Sequence, residues 1–402
     1  MEYPLEGIRI LEWGIFHAGP GGTAILGDLG AEVVKIEQRG KGDPIRHRSR
    51  FGRTSFDLPG NRNLFFEGSN RNKKSICVDL SKDMGKEIVY RLVPHFDVFL
   101  TNLRRRTREK MGMTYAVLSD LHRRLIYVSI SSYGPKGPDK DQGGFDFQGQ
   151  ARSGIMYSMG EPGTPPVLSQ FGLIDQATAI TVSQAILAAL FMRERTGKGQ
   201  MVETSILGSA LYLSYFNLLN ALWLHQDVPR HRRMDTDPIR NYYQCKDGKW
   251  FAITLRPNGD WPRFCQAIEH SELERDPRFN TQENRSEEHS SELITLLSQI
   301  FLARTRDEWL EAFRRYDLFA CAIHRHTELE NDPQIRENYL DELDHPTLGK
   351  VNIPGFPVHF SEARTGTRKA APELGEHTEE ILRTLGGYGE HEIEQLKKEE
   401  II

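Results

Sequence analysis

Asp175 is the residue whose surroundings best suit chemistry. It sits in the run FGLIDQATAI, an apolar setting directly before a helix of small residues. A carboxylate there has two readings. As an N-cap, its oxygen accepts the free N–H groups of the first helical turn. As a nucleophile, it stays ionised beside the positive end of the helix dipole, yet it is poorly hydrated and so reactive. Asp146, in GGFDFQGQ, carries the same ambiguity, with a loop-turn role as its alternative. The chain has no HExxH, GxSxG, Walker or Cys-x-x-Cys motif. That removes zinc hydrolysis, serine esterase, nucleotide hydrolysis and dithiol chemistry, and leaves carboxylate chemistry without a metal.

Two basic clusters point to an anionic ligand. Arg104, Arg105, Arg106, Arg108 and Lys110 follow the apolar run 98–100, and Arg39, Lys41 and Arg46 follow the run 31–36. If both runs are parallel strands, the clusters face the crevice at the strands' carboxyl ends, where phosphate-bearing ligands dock. A solvated helix face is the alternative reading of such charge runs. His17, in the first turn, is either a turn residue or a polar group aimed into that crevice.

The elements that position these groups are of α/β type. Residues 8–37 read as strand, glycine-rich turn (Gly19-Pro20-Gly21-Gly22), helix and second strand. So compact a unit implies parallel strands and a right-handed crossover. The turn reads A-G-P-G-G-T rather than G-x-G-x-x-G, and its proline removes an N–H that a pyrophosphate would use, which argues against an NAD or FAD site. Residues 75–80, 98–100 and 125–130 are further strands, and 83–92, 118–124 and 176–193 are helices. Four or five such strands predict a doubly wound parallel sheet. Beyond residue 225 the texture changes. Residues 225–240 are basic and polar and read as a linker. Residues 242–255 predict two strands joined at Asp247-Gly248, with helices at 261–268, 294–301 and 307–313. The expected layout is a large domain over 1–200, a linker helix over 201–225, a small α+β domain over 226–325, and a return to the large domain over 326–402.

The chain has 402 residues, 27% charged and 38% hydrophobic, more than one core usually supports. Its formal charge of −4 argues against nucleic acid and anionic membranes as partners. Cys77, Cys245, Cys265 and Cys321 are too scattered for a metal motif and read as reduced thiols of a cytoplasmic protein. The first residues show no signal peptide, and the apolar stretch 205–224 is interrupted by glycine, serine and asparagine, as suits a buried helix.

In order and spacing, PLEGIRILEW, LGDLGAEVVKIE, GDPIR, NKKSICVDL, REKMG, GFDFQGQARSG, RTGKGQMVETSI, DGKW, DPRF, NDPQI and PELGEHTEEIL resemble the class III CoA-transferases, the formyl-CoA and carnitine CoA-transferase family, with 2-methylacyl-CoA racemase as a cousin. The resemblance implies an interlaced homodimer with a discontinuous Rossmann-like large domain and a small domain. It places the nucleophilic aspartate on Asp175, which would pass through aspartyl anhydride and aspartyl-CoA thioester intermediates, with coenzyme A and acyl-CoA as substrates and no tightly bound cofactor. His17 stands where the formyl-CoA branch has glutamine, and Ala18 and Gly19 would supply oxyanion donors. Arg39, Val78, Asn102, Leu103, Arg104, Lys110 and Met111 fall at the CoA contacts. Racemases have histidine where this chain has Phe145, before Asp146, so a two-base racemisation lacks a partner. The expected activity is transfer of CoA from a donor such as succinyl-CoA to an aromatic, cyclic or dicarboxylic acid. A racemase and a non-catalytic CoA-binding protein are the alternatives. Near residues 231–243 the formyl branch has a glycine loop that this chain lacks. There Arg232, Arg233 and Arg240 suit a dicarboxylate, and Tyr242 and Tyr243 an aromatic acid.

Overall fold

The computed structural model describes residues 2–256 and 259–402. The chain divides into two compact units, Met1–Tyr157 with Val167–Asp227 and Glu337–Ile402, and Ser158–Pro166 with Val228–Arg336. The first unit is built on six strands: β1 (Arg9–Trp13), β2 (Glu32–Glu37), β3 (Lys73–Cys77), β4 (Val98–Thr101), β5 (Ile126–Ser131) and β6 (Gln200–Ser205). They form one sheet in the order β6-β5-β4-β1-β2-β3, and every neighbouring pair is parallel. The chain thus winds one way from β1 and then the other. The order reverses between β1 and β4, and the crevice at their carboxyl ends is where such sheets bind ligands.

Burial explains which strands were legible. β4 is buried at every position, and β5 at all but its last. Such strands read as continuous apolar runs. β6 is the strand that the sequence hides. It lies at the sheet edge, alternates half-buried with exposed positions, and spells QMVETS. It also corrects the expected linker helix over 201–225. After β6 the segment folds as two helices of the first unit, Ile206–Leu213 and Tyr215–Leu224.

The helices needed below are α1 (Pro20–Asp28), α2 (Leu64–Asn70), α3 (Arg105–Lys110), α4 (Asp146–Arg152), α5 (Leu173–Thr196) and α6 (Tyr215–Leu224). α1 begins with Pro20 at its first position, where a missing N–H costs nothing. Its Gly22 lets α5 approach closely, since a Cβ there would stand 2.9 Å from Val182 Cγ1 and 3.1 Å from the Ala179 carbonyl. The inner face of α5 buries Val182, Ile186 and Leu190 with Ile10, Leu26 and Val98 of the sheet layer. On the other face, Leu11, Val34 and Phe99 share a core with Ile381, Leu382, Ile393 and Leu396, so the last helices belong to this unit.

The second unit has an antiparallel sheet of Arg240–Gln244, Trp250–Thr254 and Phe319–Ile323. The Asp247-Gly248 turn joins the first two strands, with Gly248 at φ 74°. Tyr243, Phe251, Phe301, Trp309 and Phe313 form its aromatic core. Tyr243 is fully buried there, which rules out its expected contact with an aromatic acid. The unit also takes in Ser158–Pro166 and extends to Arg336, beyond the 226–325 expected.

Candidate active site

α5 starts behind Gly172, which takes φ 75°, a left-handed conformation open to glycine. Its first free N–H groups are met from a distance. Asp146 Oδ1 accepts from Ile174 N–H at 2.6 Å and from Asp175 N–H at 3.2 Å, while its Oδ2 accepts from Gln150 Nε2 at 2.7 Å. Asp146 therefore does the capping that residue type allowed for Asp175, and its own loop-turn reading is corrected. Asp175 stands inside the first turn, and its carboxylate accepts no hydrogen bond among the described residues. Burial first, and repulsion from Asp146 second, push its pKa up to about 7. An unpaired, poorly solvated carboxylate has the reactivity of a nucleophile. It opens on a pocket of about 230 Å³ whose lining includes Ala18, Asn102, Arg104, Ser131, Phe145 and Ile206.

The loop between β1 and α1 forms one wall. Asn102, just past β4, pins it by accepting from Ile15 N–H at 2.9 Å and donating to the Ile15 carbonyl at 2.7 Å. Phe16 takes φ 59°, costly for a side chain of its size, and its N–H donates to Asp43 Oδ1 at 3.1 Å. Its ring meets the exposed Phe145 edge to face at 5.7 Å. The N–H groups of Ala18 and Gly19 have no acceptor among the described residues. Such free donors are what an oxyanion needs.

His17 does not line the pocket. Its Nδ1 lies 2.8 Å from Ser69 Oγ on α2, its Nε2 lies 2.7 Å from the Gln176 amide, and its ring stacks on Phe65 at 5.5 Å. The Ser69 hydroxyl also donates to the Phe65 carbonyl, and Nε2 faces Gln176 Oε1, an acceptor that favours a proton on the ring. Burial, opposed by Gln176 and aided by Arg71 and Lys73, pulls the His17 pKa down to about 4. At neutral pH the ring is uncharged and fully engaged. It latches the loop to α5 beside Asp175 instead of lining the pocket.

A larger pocket, about 580 Å³, adjoins the first through Ile15 and Leu103, which line both. Of the expected CoA contacts, Arg39, Val78, Leu103 and Met111 line it, while Asn102, Leu103 and Arg104 line the Asp175 pocket. Lys110 lines neither and stands exposed at the end of α3. Much of the basic cluster is otherwise engaged. Arg105 pairs with Asp141 at 3.5 Å, Arg108 donates to Ser129 at 2.8 Å, and Arg46 pairs with the buried Glu37 at 2.8 Å. Arg233, in the second unit, donates to the Tyr242 carbonyl. Neither Gln176 nor Ser69 is marked in the sequence by its neighbours. Gln176 stands 159 residues from the histidine it holds, and only folding brings the two together.

Comparison with known proteins bears on this arrangement directly. The model of CoA-transferase family III matches residues 5–378. The chain is 32% identical over 401 residues to the (R)-2-hydroxy-4-methylpentanoate CoA-transferase of Clostridioides difficile, covering 99% of each protein. It is 34% identical over 406 residues to the succinyl-CoA–D-citramalate CoA-transferase of Chloroflexus aurantiacus, covering 99% of this chain and 98% of that one. Among solved structures, a CAIB/BAIF family protein from Brucella suis superposes with a TM-score of 0.86 at 29% identity, over 96% of this chain and 100% of that one. A pocketed carboxylate beside free backbone donors is thus found in a chain that belongs to CoA-transferase family III and is an enzyme of that class.

Proposed function

We propose that this protein transfers CoA from a donor acyl-CoA to a free carboxylic acid through covalent intermediates on Asp175. One observation carries the reading. Asp175 is a desolvated carboxylate with no hydrogen-bond partner among the described residues, in a pocket that adjoins a second one large enough for a nucleotide-sized ligand. The Asp175 carboxylate attacks the donor's thioester carbonyl, forming a C–O bond, while the C–S bond breaks and CoA leaves as thiolate. The thiolate then attacks the aspartyl carbonyl of this anhydride, which releases the donor acid and leaves an aspartyl-CoA thioester. The acceptor carboxylate attacks that thioester in turn, and the returning thiolate takes the new acyl group, which restores Asp175. Each step trades one activated acyl bond for another, so no net proton or external energy source is consumed. The Ala18 and Gly19 N–H groups stabilise the oxyanion of each tetrahedral species. Arg104, without an ion-pair partner among the described residues, provides a cation for the acid or the thiolate.

The names of the relatives join CoA to hydroxy acids and dicarboxylic acids, and succinyl-CoA is the donor in several of them. On that footing succinyl-CoA is the first donor to test. The working assembly is a homodimer. α6 buries none of its residues, and Phe216 and Trp223 are 81% and 74% exposed, an apolar surface that a second subunit would cover. Incubation with succinyl-CoA and hydroxylamine, followed by peptide mass spectrometry, tests the chemistry. A hydroxamate on Asp175 is expected. Active turnover beside an unmodified Asp175 peptide overturns the assignment.

A further inference from the structure

Beneath the loop that carries Ala18 and Gly19 lies a group of charges that the transfer chemistry does not use. Glu12 on β1, Lys35 on β2 and Lys73 on β3 have fully buried side chains. Lys35 Nζ donates to Glu12 Oε1 at 2.7 Å and to the Gly14 carbonyl at 2.8 Å, and it pairs with Asp43 Oδ2 at 3.0 Å. Lys73 Nζ donates to Glu12 Oε2 at 2.6 Å, to Asn70 Oδ1 at 3.0 Å and to the Pro20 carbonyl at 2.8 Å. Thr23 Oγ1 donates to Glu12 and lies 3.0 Å from the same Pro20 carbonyl.

Each amino group meets three oxygens. At Lys35 burial is outweighed by the carboxylates of Glu12 and Asp43, which hold the proton, whereas at Lys73 burial outweighs Glu12 and pulls the pKa down to about 7. Buried ion pairs of this kind rarely stabilise a fold better than apolar packing would. Their reason is better sought in what they hold. One lysine grips the carbonyl where the loop begins, Gly14, and the other grips the carbonyl where it ends, Pro20. Between them Asp43, paired with Lys35, accepts from Phe16 N–H, the residue held at positive φ. Three points of a seven-residue loop are thus tied to one carboxylate pair. Burial, which opposes ionisation of Glu12, is outweighed by Lys35 and Lys73, so its pKa falls to about 2 and the anchor stays charged.

We propose that Glu12, Lys35 and Lys73 are positioning residues that clamp both ends of the 14–20 loop and so hold the Ala18 and Gly19 N–H groups where the oxyanion forms. The idea rests on the transferase reading above, and its test has one arm that does not. In the full-length protein, Lys73→Met removes the grip on Pro20. The rate of Asp175 acylation by succinyl-CoA should drop at least about thirtyfold, while CoA itself binds within about twofold of the wild type, because a slight misplacement of donors weighs on the transition state and not on the nucleotide. Amide exchange at Ile15 and Phe16, whose N–H groups are bonded only while the loop keeps its shape, should speed up. Thr23→Val keeps every charge in place and should move both readouts in the same direction by less. It decides the matter if Lys73→Met does not fold. A folded variant with acylation within about threefold of wild type and unchanged exchange overturns the clamp, as does a loss confined to CoA affinity. If the wild-type protein is itself not acylated at Asp175, the transferase mechanism fails, and exchange at Ile15 and Phe16 still decides whether the loop is clamped.

Discussion

Replacing Asp175 with asparagine should abolish transfer and at the same time make the protein more stable, by an amount that grows with pH. The carboxyl titrates near 3.8 when unfolded and is pushed up to about 7 in the native pocket. Between those values the folded state holds a proton that the unfolded state has released, so stability falls as pH rises through this window and levels off above it. Relative to a neutral side chain of the same shape, the ionisable group costs the folded state less than about 1 kcal/mol at pH 4, about 2 at pH 5.5 and about 4 at pH 8. Asparagine removes that cost. The melting temperature of Asp175→Asn should therefore exceed that of the wild type by several degrees at pH 8, with the gap closing toward pH 4. Acylation by succinyl-CoA should fall by more than about a thousandfold. Thermal melts at the three pH values, beside the turnover assay, measure both effects. A variant that melts below the wild type at pH 8, or a gap independent of pH, would refute the claim that the native site holds this carboxyl under electrostatic duress.

The same shift sets the pH dependence of the reaction. The attacking group is the carboxylate, so donor kcat/KM should rise about tenfold between pH 6 and pH 8 and then flatten. Asp146→Asn, which keeps an oxygen to cap α5 but removes the second cause of the shift, should move that rise to lower pH, and a pH profile identical to wild type would contradict this. On α6, Phe216→Asp with Trp223→Asp should convert the dimer to monomers in light scattering after size exclusion. A wild-type protein that is already monomeric would remove the dimer from the proposal.

How much could be read beforehand follows from whether a signal is local. The β1–α1–β2 unit is legible because its strands are buried along most of their length, so their apolar runs stand out, and because the turn spells its glycines in sequence. β6 is not, since an edge strand with half-exposed alternation resembles a loop. Asp175 could be singled out by its apolar setting, but not separated from a helix cap. That needs the contact with Asp146, whose oxygen arrives from 29 residues upstream. His17 shows the same limit more sharply. Its neighbours in sequence are turn residues, while its chemistry is set by Ser69 and Gln176, 52 and 159 residues away. In the basic clusters, charge was visible and engagement was not. Arg46 and Arg39 look alike in a sequence, yet one is spent on a buried glutamate, while the other lines the larger pocket with its Nε on the Ile402 carbonyl and its guanidinium 3.7 Å from Glu400. Glu12 and Lys35 lie inside strands otherwise read as apolar, and a buried ion there looks like a break in the pattern. Side by side on β1 and β2, they become the group on which the loop rests. The residues that break the hydrophobic pattern are therefore the ones that hold the loop beside the candidate site, as expected where a fold gives up packing to fix a site.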